Sequence, residues 1–215
     1  GDHRDLHSFP TRRSSDLVVM FDRIVDEIPC DKVLIDDREG AKMGVIHLLK
    51  TGCRKIAIIT TKDYVTIGKL RTKGYIEALE SYGVKVDKDF ILKLDTIDHC
   101  DDDCSKKIKE FLKDKDLDGV FTVNELFAVT AAKHLTATGK KIPDDVSIVS
   151  FSDGELSKHF IPSLTTVSQH GELMGRRAAE LLINKLERPE EEIEEYTTAY
   201  IDTSLIERES TKKIK

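Results

Sequence analysis

Arg71, Asn124 and Asp153 each pair a side chain able to recognise hydroxyls or charge with a place where strand gives way to loop or helix. Arg71 stands in LRTKGY, in the helix that follows the apolar run KIAIIT. A guanidinium there faces the carboxyl end of a sheet, where ligands of α/β proteins bind. Its planar fork suits vicinal hydroxyls or a carboxylate, although a solvated helix surface explains it equally well. Asn124 follows GVFTV and precedes a helix. Its amide offers a donor and an acceptor together, as a sugar hydroxyl requires, and it also fits a plain N-cap. Asp153 follows the run 146–151 as FSDG, where a turn with Gly154 is the structural alternative. His99-Cys100 and Cys104 have the residue types of a zinc site, but four ligands need a second pair and none is evident. The acids around them lack the register of a calcium loop. No metal and no cofactor are expected. GxSxG, Walker, GxGxxG and HExxH motifs are absent, so no catalytic residue is assigned and the chain does not read as an enzyme.

The elements that must position these residues alternate. Short apolar runs at 18–21, 32–35, 55–60, 90–94, 119–123 and 146–151 read as strands. Helical periodicity falls between them, with Ala41, Val45, Leu48 and Leu49 inward in 38–51, and Ile67, Leu70, Ala78 and Leu79 inward in the next helix. Ile108, Phe111 and Leu112 face inward in 105–113. Asp36-Asp37 can cap the first helix, and Gly52, Gly83 and Gly139 fit helix ends. After 146–151 a polar loop leads to an extended segment, 163–169, then a periodic helix over 172–186 and an acidic loop, 190–195. Strands at 197–201 and 204–206 precede a Lys-rich end expected to be loose. Strand and helix alternating at this spacing predicts right-handed βαβ units and a parallel sheet covered on both faces.

A chain of 215 residues with 39% hydrophobic and 34% charged residues suits a globular protein with a real core. Its net charge of −6 argues against a broad nucleic-acid surface. Four cysteines in a chain this long do not look like a disulfide framework, and a reducing cytoplasm is the expected location. Residues 1–17 show no periodicity and no apolar segment. They read as a non-native leader, similar to a translated adapter sequence.

The stretch IPDDVSIVSFSD followed by PSLTTVSQ closely resembles the signature of lactose-repressor-like (LacI/GalR) bacterial transcription regulators, in their effector-binding portion. The resemblance extends over about 30 positions in register, well beyond a short motif. It implies a periplasmic-binding-protein-like fold of two lobes, α/β parallel sheets flanked by helices, with 18–36 and 170–201 in a partial N-lobe and 37–169 with 202–215 in a complete C-lobe. Crossovers would lie near 35–37, 169–171 and 199–203. The family's DNA-reading helix-turn-helix would precede residue 18 and is not found, so the chain reads as a fragment. The resemblance also implies effector-binding roles for Arg71 and Asn124, for Asp22 and Gln169 where the lobes close, and for His99 where relatives carry a stacking aromatic. Many relatives have two Asp in the FSDG position; here the first, the commoner ligand, is Ser152, followed by Asp153. A hydroxyl in place of a bidentate carboxylate redirects recognition of paired hydroxyls.

The function so implied is sensing of a small molecule, a sugar or sugar derivative, in the inter-lobe cleft, shifting the DNA affinity of an intact homodimer. DNA would be bound only through the missing domain, and no membrane is involved. A periplasmic sugar-binding protein of a transporter and an α/β enzyme without a known motif are the alternatives. If Arg71 only lined the site, alanine there would leave the melting temperature of the ligand-free protein unchanged.

Overall fold

The computed structural model describes residues 17–25, 27–62, 66–95, 100–187 and 196–214. The acidic loop at 190–195, His99 and the leader up to residue 16 lie outside them. Strands β1 (Val19–Phe21) and β2 (Asp31–Ile35) lead into helix α1 (Asp37–Lys50), then β3 (Ile56–Thr61) and α2 (Thr66–Ser81). Strand β4 (Ile91–Leu94), α3 (Asp102–Leu112), β5 (Gly119–Thr122) and α4 (Glu125–Ala137) continue the alternation. Next come β6 (Ser147–Phe151), a short α5 (Glu155–His159), β7 (Thr165–Ser168) and α6 (Gly171–Glu187), and β8 (Thr198–Ile201) and β9 (Ser204–Ile206) close the chain.

Two compact units result. The smaller holds the described residues up to Ile35 with Gly171–Ile201. It is a parallel sheet in the order β1-β2-β8, with α6 against it through Met174, Ala178 and Leu181. Asp31, buried in β2, accepts from the Thr197 amide at 2.7 Å and pairs with Lys185 of α6 at 2.9 Å, which ties helix to sheet.

The larger unit, Asp36–His170 with the chain from Asp202 onward, is a six-stranded sheet in the order β4-β3-β5-β6-β7-β9. All its pairings are parallel except β7 with β9. The sheet is buried on both faces, which is why β3, β5 and β6 read as continuous apolar runs instead of alternating ones. Ile58, Ile59, Phe121, Ile148, Val149 and Phe151 are fully buried in it. The chain passes from β3 outward to β4, then returns to place β5 on the other side of β3. That reversal makes a topological switch point between β3 and β5, and open α/β sheets bind ligands in a crevice beyond the carboxyl ends of the strands at such a point. No helix among the described residues is long and apolar enough to cross a membrane.

The alternation expected from the sequence is present, with local departures. Leu70 is 37% exposed and Arg71 only 2%. The buried stripe of α2 runs through Ile67, Arg71, Gly74, Tyr75 and Ala78, because the arginine has polar partners inside. At Gly74 a Cβ would collide with the Arg38 carbonyl of α1, so the absence of a side chain lets α1 and α2 approach closely. The loop after β6 contains the turn α5. The chain end is not loose as far as Thr211: the Ser210 amide donates to the Ser163 carbonyl at 2.9 Å, and the Ser210 hydroxyl donates to the Ile148 carbonyl at 2.6 Å. Cys100 and Cys104, not expected to pair, form a disulfide, whereas Cys30 and Cys53 are buried free thiols.

Candidate functional site

Arg71 is the polar centre of the carboxyl edge of the larger sheet. Its Nε and Nη2 both donate to Asp37 Oδ1 at 2.7 Å, and its Nη1 donates to the Val123 carbonyl at 2.5 Å. The guanidinium carbon lies 3.5 Å from the centroid of the Phe151 ring. One side chain thereby joins the N-terminus of α1, the end of β5 and the end of β6. Burial of a charge is tolerated here because the partner is a carboxylate, itself only 8% exposed, at a helix N-terminus. Thr61, the last residue of β3, is buried with its hydroxyl unpartnered among the described residues. That hydroxyl packs against Gly68 of α2, where a Cβ would collide with it.

Asn124 stands two residues past the end of β5 and is the N-cap of α4, its Oδ1 accepting from the Phe127 amide at 2.8 Å. Glu125 beside it holds the loop after β6. Its Oε2 accepts from the amides of Gly154 and Ser157 at 3.1 and 3.3 Å and from the Ser157 hydroxyl at 3.0 Å. Asp153 is engaged inside the protein: its Oδ1 accepts from Arg208 Nη2 at 2.6 Å and from the Thr166 hydroxyl at 2.8 Å. Arg208 also donates through Nη1 to the Leu164 carbonyl at 2.7 Å. These contacts tie the loop after β6 to β7 and to Arg208.

Ser152, the residue before Asp153, is half-buried and has φ +79°, and its amide donates to the Val167 carbonyl at 2.9 Å. Positive φ is uncommon outside glycine, and such strain concentrates at functional sites. His170, at φ +50°, turns the chain after Gln169, which is half-buried and follows the last residue of β7. Its Nε2 lies 2.8 Å from the Ser204 hydroxyl. In the smaller unit Asp22, directly after β1, has φ +63° and donates its amide to the Val33 carbonyl at 3.2 Å.

Within the larger unit, Arg71, Asn124, Ser152, Asp153 and Gln169 thus all stand at or just beyond the carboxyl ends of parallel strands. Arg71 joins directly to the residue before Asn124 and to the residue before Ser152. His99 lies outside the described residues, and Asp22 belongs to the other unit. Sequence reasoning did not reach Asp37, Thr61, Glu125, Phe151 or Arg208. Asp37 and Arg71 are 34 positions apart and Asp153 and Arg208 are 55 apart, distances over which no short motif operates. Among the described residues no group of His, Cys, Asp and Glu is arranged to hold a metal ion.

Comparison with known proteins agrees with this fold. The model of the periplasmic binding protein-like domain matches residues 45–211. The HTH-type transcriptional regulator CelR of Thermobifida fusca is 32% identical over 187 residues, 86% of this chain and 53% of that protein. The chain spans about half the length of the curated relatives it matches. Among solved structures, a complex of transcriptional regulator CelR with cellobiose superposes with a TM-score of 0.78 at 31% identity, covering 89% of this chain and 58% of that one. A LacI family transcriptional regulator from Enterococcus faecium with bound ribose also has a TM-score of 0.78, at 27% identity, covering 92% of this chain and 71% of that one.

Proposed function

The chain belongs to the periplasmic binding protein-like family, among the LacI-type transcriptional regulators, and we propose that its larger unit binds a small carbohydrate effector at the carboxyl edge of the six-stranded sheet. The observation that carries the reading is the placing along that edge of a fixed guanidinium, a capping amide and a strained serine, with Arg71 joined to the ends of β5 and β6. Neutral polyols are recognised by such a set, whose members together offer directed donors and acceptors. In this reading Arg71 and Asn124 flank the crevice and Ser152 presents a hydroxyl where relatives present a carboxylate. Asp153 acts through Ser152, held in place by Arg208. Gln169, just beyond β7, contributes from the same edge.

Bound sugar favours one arrangement of the chain over another, and the intact regulator, a cytoplasmic homodimer carrying a helix-turn-helix, translates that preference into operator affinity. Support comes from the relatives, which are named as transcriptional regulators and not as enzymes or transporters. Titration calorimetry with ribose and with cellobiose tests the site, using the wild-type chain beside Asn124→Ala and Ser152→Asp. Binding of one sugar, lost in the first variant and altered in the second, is expected. Binding indifferent to both substitutions would place the effector elsewhere.

A further inference from the structure

We propose that Cys100 and Cys104 are a reversible thiol–disulfide switch acting on the helix pair α3 and α4. The two residues bracket the start of α3. Cys100 precedes the N-cap, Asp101, whose side chain accepts from the Cys104 amide at 2.9 Å. Cys104 is 5% exposed and Cys100 is half-buried, so Cys100 is the more accessible residue of the pair. Their Cα atoms are 5.1 Å apart, within the span that a disulfide bridges without backbone movement.

The position argues for regulation over reinforcement. A disulfide stabilises chiefly by closing a loop in the unfolded chain, and that benefit grows with loop length. A bridge between residues four apart gains the least. In reducing compartments, disulfides that do form are characteristically transient and redox-sensing. The other two cysteines fit that view: Cys30 and Cys53 are each 2% exposed, and burial pushes the Cys53 thiol up, away from the reactive thiolate form.

The pair is also wired to the candidate site. The Thr130 hydroxyl of α4 lies 3.7 Å from Cys100 Sγ and 2.8 Å from the Leu126 carbonyl in the first turn of the same helix. The Ser105 hydroxyl of α3 meets His134 Nε2 of α4 at 2.9 Å. Oxidation thus fixes the first turn of α3 against the helix whose N-cap is Asn124. That consequence for effector binding rests on the site proposed above, whereas the thiol chemistry does not.

The reaction is an exchange with a glutathione-type disulfide. The Cys100 thiolate attacks one glutathione sulfur, the glutathione S–S bond breaks, and one glutathione thiolate leaves. The Cys104 thiolate then attacks Cys100 Sγ, forming the internal bond and releasing the second glutathione thiolate. The cysteine pair loses two electrons and two protons, and glutathione disulfide becomes two thiols.

The full chain is equilibrated over a series of reduced-to-oxidised glutathione ratios, quenched, alkylated with N-ethylmaleimide in denaturant, and weighed intact and as peptides. Four adducts are expected at the reduced end, from the four cysteines, and two at the oxidised end, with Cys100 and Cys104 the pair lost. Amide exchange in the first turns of α3 and α4 slows several-fold on oxidation. Cys100→Ala, at the more exposed position, removes both effects and carries three adducts at the reduced end. Four adducts at every ratio, a bridge involving Cys30 or Cys53, or a Cys100–Cys104 bond that leaves exchange in both helices unchanged would each overturn the proposal. Both readouts are made without sugar, so their outcome is separate from that of the effector-binding test.

Discussion

Replacing Arg71 with alanine tests the account where the structure departs most from a sequence-based view. A merely site-lining arginine could be removed without cost to the ligand-free protein. Here the side chain is 3% exposed and its removal leaves Asp37, whose side chain is 10% exposed, without its guanidinium. Breaking a buried ion pair by deleting one partner costs about 3–5 kcal/mol. Loss of the Phe151 stacking contact and of the Val123 hydrogen bond acts in the same direction. The helix α1 dipole still favours the Asp37 carboxylate by about 0.5 kcal/mol. The net expectation is about 4 kcal/mol, which for a unit of this size lowers Tm by roughly 10 °C. Urea denaturation followed by circular dichroism measures it, in a cycle of Arg71→Ala, Asp37→Asn and the double variant. The double variant should lose less than the sum of the singles by at least about 1.5 kcal/mol, since contacting residues couple. An Arg71→Ala protein within about 1 kcal/mol of wild type, or strictly additive singles, would refute the buried pair.

Glu125→Ala frees the amides of Gly154 and Ser157. It should cost about 2 kcal/mol and speed hydrogen exchange over 154–159, while exchange in α1 stays unchanged. Arg208→Ala should release Asp153 and destabilise by about 2 kcal/mol, read by urea midpoint, with Asp153→Asn partly suppressing the loss. His47, 3% exposed with Nε2 at 2.9 Å from the Thr211 hydroxyl, has its proton affinity lowered by burial. Lys50 acts in the same direction, and Glu207, 3.9 Å away, opposes it. As pH falls, the unfolded chain takes up this proton first. The His47 contribution is thus fully present above the ordinary histidine value of 6.5 and is lost as pH falls from there to the folded value. Melting curves from about pH 8 to pH 5 should flatten over that window in His47→Gln; an unchanged slope would show that the buried imidazole is not responsible.

The sheet was legible because strands buried on both faces are written as runs of apolar and small hydroxyl residues free of charge, as in IAIITT and SIVSF. Helix ends were legible through local chemistry: Asp36 caps α1 and Asn124 caps α4, and Gly52, Gly83 and Gly139 all take positive φ. Candidate ligands could be placed at strand ends for the same reason. The bracing of those ligands could not. Arg71 reads as one more charged residue on a helix until Asp37 and Phe151 are seen around it, and its burial displaced Leu70 to the surface. Asp153 looks like a ligand until Arg208 is found on it. The strained backbone at Asp22 and Ser152 has no sequence signature, because neither is a glycine. A Cys pair four apart at a helix start was a readable signal of proximity, yet length and composition drew the reading toward free thiols.

The most direct test of the central claim is amide hydrogen exchange on the chain with and without saturating ribose or cellobiose, whichever calorimetry shows to bind. Slowed exchange should centre on the carboxyl edge of the larger sheet, at the ends of β3, β5 and β6 and the first turns of α2 and α4. Protection confined to other surfaces, or the absence of binding by either sugar or by related saccharides, would contradict it.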